Sequence, residues 1–174
     1  MSIKNIITVP NEILKKISTP IEKVSKNEVK LANDLFETMY NSKGIGLAAV
    51  QVGILRRILV VDVSTKDEPD KPICFINPVI KNLSSQTSIY EEGCLSIPDT
   101  FIEIERPKTC TVEYVDINGK FKNLKCEGLL STCIQHEINH LDGKLIIDNL
   151  SKLKRDLIIK KISKNKKNPD RIVV

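Results

Sequence analysis

At 174 residues the chain has room for one domain with a single buried core, and 41% hydrophobic with 28% charged residues excludes a collagen-like or wholly disordered polymer. The net charge of +5 is unevenly placed: from residue 151 onward nine Lys and Arg face two Asp, which leaves +7 on the tail and −2 on residues 1–150. No run approaches the roughly 18 apolar residues of a membrane span, and Pro10, Asn11 and Glu12 break the short apolar start, so a cytoplasmic location and no membrane partner are expected.

Ser25 followed by Glu28 forms a capping box, and Val29, Ala32, Leu35, Phe36 and Met39 recur at helical spacing, which predicts a helix from about Lys26 to Tyr40. It ends before a loop containing Gly44 and Gly46. Short β-like runs follow at Arg57 to Val63, Ile73 to Ile80, Thr87 to Glu91, Phe101 to Glu105, Thr109 to Val115 and Lys120 to Cys126. Pro69/Pro72, a Pro98-Asp99 turn and Asn118-Gly119 separate them, with Val115 to Lys120 reading as a hairpin turn. From Leu129 to Leu141 the helical period returns, and Gly143 stands where such a helix closes. A last helix from Leu150 to about Lys164 is read as amphipathic through Leu150, Leu153, Leu157, Ile158 and Ile162, and Lys164 to Asn168 is low in complexity. Helix, many strands, helix, helix is the order of an α+β domain rather than of alternating βαβ units, and the chain is read as one domain, 1–174, with a basic helix and tail from about 150.

The chain has two histidines, His136 and His140, four apart on a predicted helix with Glu137 beside the first. Positions i and i+4 share a helical face, so both imidazoles can reach one metal ion while Glu137 stands near a water on it. Such a site needs a third protein ligand and an open position. No Glu follows Glu137, and the place of a third His is taken by Ile146, which leaves Asp142, Asp148, Asp156 or a distant cysteine thiolate. The five cysteines are odd in number and form no CxxC pair, so they read as reduced thiols rather than a disulfide framework; Cys74, Cys110, Cys126 and Cys133 are expected in the core.

Three stretches, Gly44-Ile-Gly-Leu-Ala-Ala-Val-Gln51, Glu92-Gly-Cys-Leu-Ser96 and Gln135-His-Glu-Ile-Asn-His140, together resemble the peptide deformylases, in that family's order and spacing over nearly the whole chain. The resemblance implies the deformylase α+β fold, antiparallel strands around a central helix bearing both histidines, and hydrolysis of the N-formyl group from the formylmethionine of nascent peptides. It also implies that Cys94, His136 and His140 bind a metal, Fe(II) being the expected ion although Zn, Ni or Co suit the same ligands. Glu137 would be the general base, and the side-chain amide of Gln51 with the backbone N–H of Leu95 would face the developing oxyanion. Gly44, Ile45, Gly46, Leu129 and Cys133 would bind the substrate, the last two lining an apolar methionine pocket on the face of His136. The ribosome near the peptide exit is the expected partner of the basic last helix. Asn139 stands where most members have Asp, and Ile97 to Phe101 lacks an arginine that some members carry.

Overall fold

The computed structural model describes residues 2–64 and 72–167, so Pro69 of the Pro69/Pro72 turn and the end of the basic tail, Asn168 included, lie outside the described residues. Three helices are seen: α1, Lys26–Asn41; α2, Gly128–Leu141; and α3, Lys152–Lys167. The strands are β1, Gly46–Ala48; β2, Ile58–Val61; β3, Ile73–Leu83; β4, Thr87–Cys94; β5, Ile97–Pro107; β6, Thr109–Val115; and β7, Phe121–Glu127. Five of them form a sheet in the order β1-β2-β3-β6-β7, while β4 and β5 make a separate hairpin; every strand pair is antiparallel. The α+β expectation therefore holds.

Strand β2, Ile-Leu-Val-Val, has no polar alternation because both faces of the sheet are covered there. Leu59 and Val61 pack with Phe75 against Ile134 and Ile138 of α2, whereas Ile58 and Val60 pack with Cys74 and Ile76 against Leu35 and Met39 of α1. A third cluster joins Val9 and Leu14 to Ile102 and Ile104 of β5 and to Ile162 of α3. The metal-binding helix candidate α2 is thus clamped between the sheet and the hairpin. Its end is fixed by Gly143, whose φ of +71° suits glycine and whose added Cβ would collide with the Lys15 carbonyl.

Helix α1 starts at Ser25 with the anticipated capping box. Its buried Asp34, 2% exposed, accepts hydrogen bonds from Lys30 Nζ at 2.8 Å and the Ser2 N–H at 2.8 Å, and pairs with Lys4 Nζ at 3.4 Å. The Lys30 bond, against the opposing effect of burial and with help from Ser2 and Lys4, holds its carboxyl well below the usual carboxylate range. A carboxyl depressed on folding stabilises the fold above its unfolded pKa, near 4, and loses that contribution as pH falls towards the folded value. Asp34→Asn is expected to cost about 1–3 kcal/mol in urea unfolding at pH 7. The gap should narrow steadily below about pH 4; an equal gap at pH 7 and pH 3 contradicts the assignment.

Three expectations need correction. The Gly44 and Gly46 loop is partly strand, because Gly46, Leu47 and Ala48 pair with Val61, Val60 and Leu59. The Pro98-Asp99 turn is instead a kink inside β5, where Asp99 takes a φ of +54°; the turn between β4 and β5 falls at Leu95 and Ser96. On α3 the packed residues are Ile158, Ile159 and Ile162, while Leu153 and Leu157 are 72% and 59% exposed. At 100° per residue those two leucines project about half a turn from the packed stripe.

Candidate metal centre

The ligand candidates come from two elements. Cys94 ends β4, where Cys94 pairs with Ile97 around the tight Leu95–Ser96 turn, and the Ser96 carbonyl is held by the Val9 N–H at 3.0 Å. His136 and His140 lie on successive turns of α2, both buried. Their Nε2 atoms are 3.2 Å apart, and Cys94 Sγ is 3.2 Å from His140 Nε2. The three donor atoms lie within 4.8 Å of one another, and among the described residues they form the cluster able to hold a metal ion. A tetrahedral ion with metal–nitrogen bonds of about 2.0–2.1 Å and a metal–sulfur bond of about 2.3 Å separates its donors by roughly 3.3–3.6 Å, so this donor set fits one. The aspartates open on chemistry alone are engaged elsewhere: Asp142 with Arg57 at 2.7 Å, and Asp148 with the Leu145 N–H at 2.9 Å. Asp156 is exposed on α3.

The histidines differ behind the donor atoms. His136 Nδ1 bonds Glu92 Oε2 at 2.8 Å, and Glu92 is gripped through both oxygens by Arg106. Arg106 also donates to Asn139 Oδ1 at 2.8 Å, so the neutral residue at that position still anchors the arginine. A carboxylate behind a ligating imidazole fixes its tautomer and ring orientation. Burial disfavours charge on His136, yet its contacts with Cys94 and Glu92 outweigh this and raise its pKa to about 10. His140, buried and beside that positive ring, is held well below the ordinary value. A ligating imidazole must be neutral at its donor nitrogen, so a cation bound here must displace a proton from His136. Glu92 stays below the usual carboxylate range because its His136 and Arg106 bonds overcome burial.

Glu137 is 4% exposed; burial pushes its carboxyl up to about 7, with His136 opposing, and Oε2 has no hydrogen-bond partner in the protein. Gly46 makes room for it: a Cβ there would sit 2.5 Å from Glu137 Oε1 and 2.8 Å from Cys133 Sγ. Gln51 sits in the 3-10 turn Ala49–Val52 after β1. Its Oε1 accepts the Ala48 N–H at 2.8 Å, which turns Nε2 towards Ser96 Oγ at 3.2 Å and Cys94 Sγ at 3.8 Å.

Gln51, Glu92, Cys94, His136 and Glu137 border one cavity of about 450 Å³. Gly44, Ile45, Gly46, Gln51, Cys94, Leu95, Leu129, Cys133, His136 and Glu137, singled out from the sequence, line it together; His140 stands behind them. Cys133 is a buried neutral thiol, its pKa raised well above normal by burial and by Glu137. Glu92, Arg106 and Thr132 were missed as site residues. Glu92 lies inside the second motif, but Arg106 and Thr132 carry no signal of their own.

The family model described as polypeptide deformylase matches residues 3–156. The chain is similar to a peptide deformylase of Pelagibacter ubique, 56% identical over 174 residues and 100% of both chains. It is similar to another from Rhizobium meliloti, 51% identical over 94% of each. The structure superposes on a crystal structure of peptide deformylase from Ehrlichia chaffeensis with a TM-score of 0.92 at 42% identity, covering 97% of this chain and 99% of that one.

Proposed function

This chain belongs to the polypeptide deformylase family, hydrolases that remove the N-formyl group of formylmethionine from nascent proteins, and on that premise we propose a role for each residue of the site. The observation that carries the reading is the convergence of Cys94 Sγ, His136 Nε2 and His140 Nε2 within 4.8 Å beside the buried carboxyl of Glu137. These three residues would hold a divalent ion, and the ion would supply Lewis-acid polarisation and lower the pKa of water at its open position.

The chain's own groups do the rest. Glu137, its pKa lifted towards neutrality, takes a proton from the attacking water and returns it to the departing amine nitrogen. Gln51 Nε2, aimed by the Ala48 bond, and the Leu95 N–H in its tight turn donate to the oxygen that gains charge as the formyl carbon becomes tetrahedral. Ile45, Leu129 and Cys133 bind the methionine side chain on the face of α2 next to His136, and Gly44 and Gly46 let the substrate backbone come close. Glu92 and Arg106 keep His136 oriented. The whole chain, 1–174, serves as one catalytic domain acting in the cytoplasm, where formylated nascent chains arise; no helix among the described residues is long and apolar enough to cross a membrane.

Fe(II) is the proposed native ion. One thiolate and two imidazoles accept several divalent ions, and raw affinity favours zinc, but ferrous iron in an open site reacts with oxygen and its thiolate ligand is oxidisable. Iron protein prepared without air is expected to be the most active form and to fade on aeration, while Ni(II) and Co(II) forms keep their activity. Formate release at equal metal occupancy, with Cys94 oxidation followed by mass spectrometry, checks this. A zinc form that matches the iron form, with neither fading, overturns the iron assignment.

The proposed ribosome contact uses α3, whose Lys152, Lys154, Lys160, Lys161 and Lys164 are exposed beside Leu153 and Leu157. Cations clustered on one helix suit phosphate-rich RNA. Because Ile158 and Ile162 belong to the core, truncating the helix would also unsettle the fold, and Lys→Ala substitution is the cleaner probe. Replacing Lys152, Lys160 and Lys164 together is expected to weaken salt-sensitive ribosome binding in cosedimentation while leaving activity on short free peptides. Unchanged cosedimentation leaves the helix without that role.

A further inference from the structure

We infer that Cys110 and Cys126 form a peroxide-sensitive dithiol, a modification site apart from the metal centre, whose oxidation to a disulfide ties the edge strand β7 covalently to β6.

Cys110 lies on β6 and Cys126 on β7, and the two are direct partners in the antiparallel register. Opposed residues on antiparallel strands project from the same face with Cα atoms about 4.5–5.5 Å apart, inside the roughly 4.4–6.8 Å that a disulfide spans. Both are free thiols, buried in the cluster between the sheet and α2. The Cys126 thiol bonds the Cys110 sulfur, and Ser131 Oγ, in the first turn of α2, donates to that same sulfur at 3.5 Å. The register and these contacts already bring the two sulfurs together.

The same contacts set this pair apart from the other cysteines. The Cys126 bond, against burial and with help from Ser131, brings the Cys110 thiol down to about 7, and the thiolate is the form that attacks an oxidant. That bond and burial push Cys126 up, so it keeps its proton. Burial, with Asp116, raises Cys74 to about 12, and burial with Glu137 raises Cys133 well above normal. Hydrogen peroxide is the oxidant: it is small, and β7 has a strand neighbour on one side only, so opening of that edge exposes the pair. The Cys110 thiolate attacks one peroxide oxygen, the O–O bond breaks, and the departing hydroxide takes up a proton, leaving a sulfenic acid and one water. Cys126 sulfur then attacks the sulfenic sulfur, the S–S bond forms, and the sulfenic hydroxyl leaves with the Cys126 proton as a second water. Two thiols lose two electrons and one peroxide becomes two waters; thiol exchange with an external reductant restores both cysteines.

The test treats nickel-loaded protein, in which iron–oxygen chemistry at Cys94 does not intervene, with graded hydrogen peroxide. Remaining thiols are blocked with iodoacetamide in denaturant, and trypsin with Glu-C digestion precedes tandem mass spectrometry, the cut after Glu127 separating Cys126 from Cys133. The expected product is a linked peptide pair holding Cys110 and Cys126, two hydrogens lighter than the reduced peptides, at doses where Cys74 and Cys133 still take the reagent. Dithiothreitol should return both thiols, and formate release should persist as the link forms, since neither cysteine is among the residues lining the substrate cavity. In Cys126→Ser protein Cys110 should stop at the sulfenic acid, trapped by dimedone, with no link; the wild-type map carries the test alone if that variant folds poorly. The inference is overturned if both cysteines stay alkylatable after peroxide, if they are oxidised without a link or no earlier than Cys74 and Cys133, or if formate release is lost in step with the link.

Discussion

Glu137→Gln is expected to lower kcat for formate release by about 10²-fold to 10⁴-fold, the range for loss of a positioned general base. The amide has the carboxylate's shape, so the contacts that Gly46 makes possible are kept, and Glu137 is not among the three clustered metal donors. Metal content should therefore stay at the wild-type level. That combination separates the base from the ligands, because a ligand variant loses metal and turnover together. Burial keeps Glu137 at 4% exposure and lifts its carboxyl to about 7, near the pH at which a base must both accept and release a proton. Its buried Oε2 has no hydrogen-bond partner in the protein, so no protein contact competes with its role as a base. Metal analysis alongside steady-state formate release makes the comparison, and undiminished turnover in a metal-replete Glu137→Gln protein would remove the base from this account.

Cys94→Ala should lose metal and activity in parallel. Three protein donors with one open position is the minimum of a catalytic site of this type, and removing the thiolate leaves two imidazoles. Nothing in the described structure steps in, since Asp142 is held by Arg57 and Asp148 by the Leu145 N–H. The loss should appear as faster extraction of the ion by a chelator and as formate release falling in step with the metal remaining. A fully metallated and active Cys94→Ala protein would instead require a carboxylate to have replaced the thiolate.

Much of the site was legible because its ligands sit in two short motifs, and the i, i+4 spacing of His136 and His140 survives folding as a shared helix face. The third ligand was not legible from chemistry alone. Cys94 reaches the histidines only through the β4–β5 hairpin, 46 residues away in sequence from His140, and needed the family resemblance to be picked out. Arg106 was invisible for the same reason: its partners, Glu92 and Asn139, are 14 and 33 residues away. Local signals did well where local physics decides, as at the Ser25 capping box and at Gly143 beyond the end of α2. They failed on β1, which is three residues long and exists by pairing with β2, and in part on α3, where apolar spacing rightly marked Leu150, Ile158 and Ile162 but also Leu153 and Leu157, which the fold leaves exposed while Ile159 packs inward.

Formate release from formyl-Met-Ala-Ser by metal-stripped protein, titrated anaerobically with Fe(II), tests the central claim most directly. The account predicts negligible release without metal, a linear rise to a plateau at about one ion per chain, as a single three-ligand site requires, and release lowered about 10²-fold to 10⁴-fold in the Glu137→Gln protein loaded to the same occupancy. Formate released at full rate by the stripped protein, or none released at one ion per chain, would contradict it.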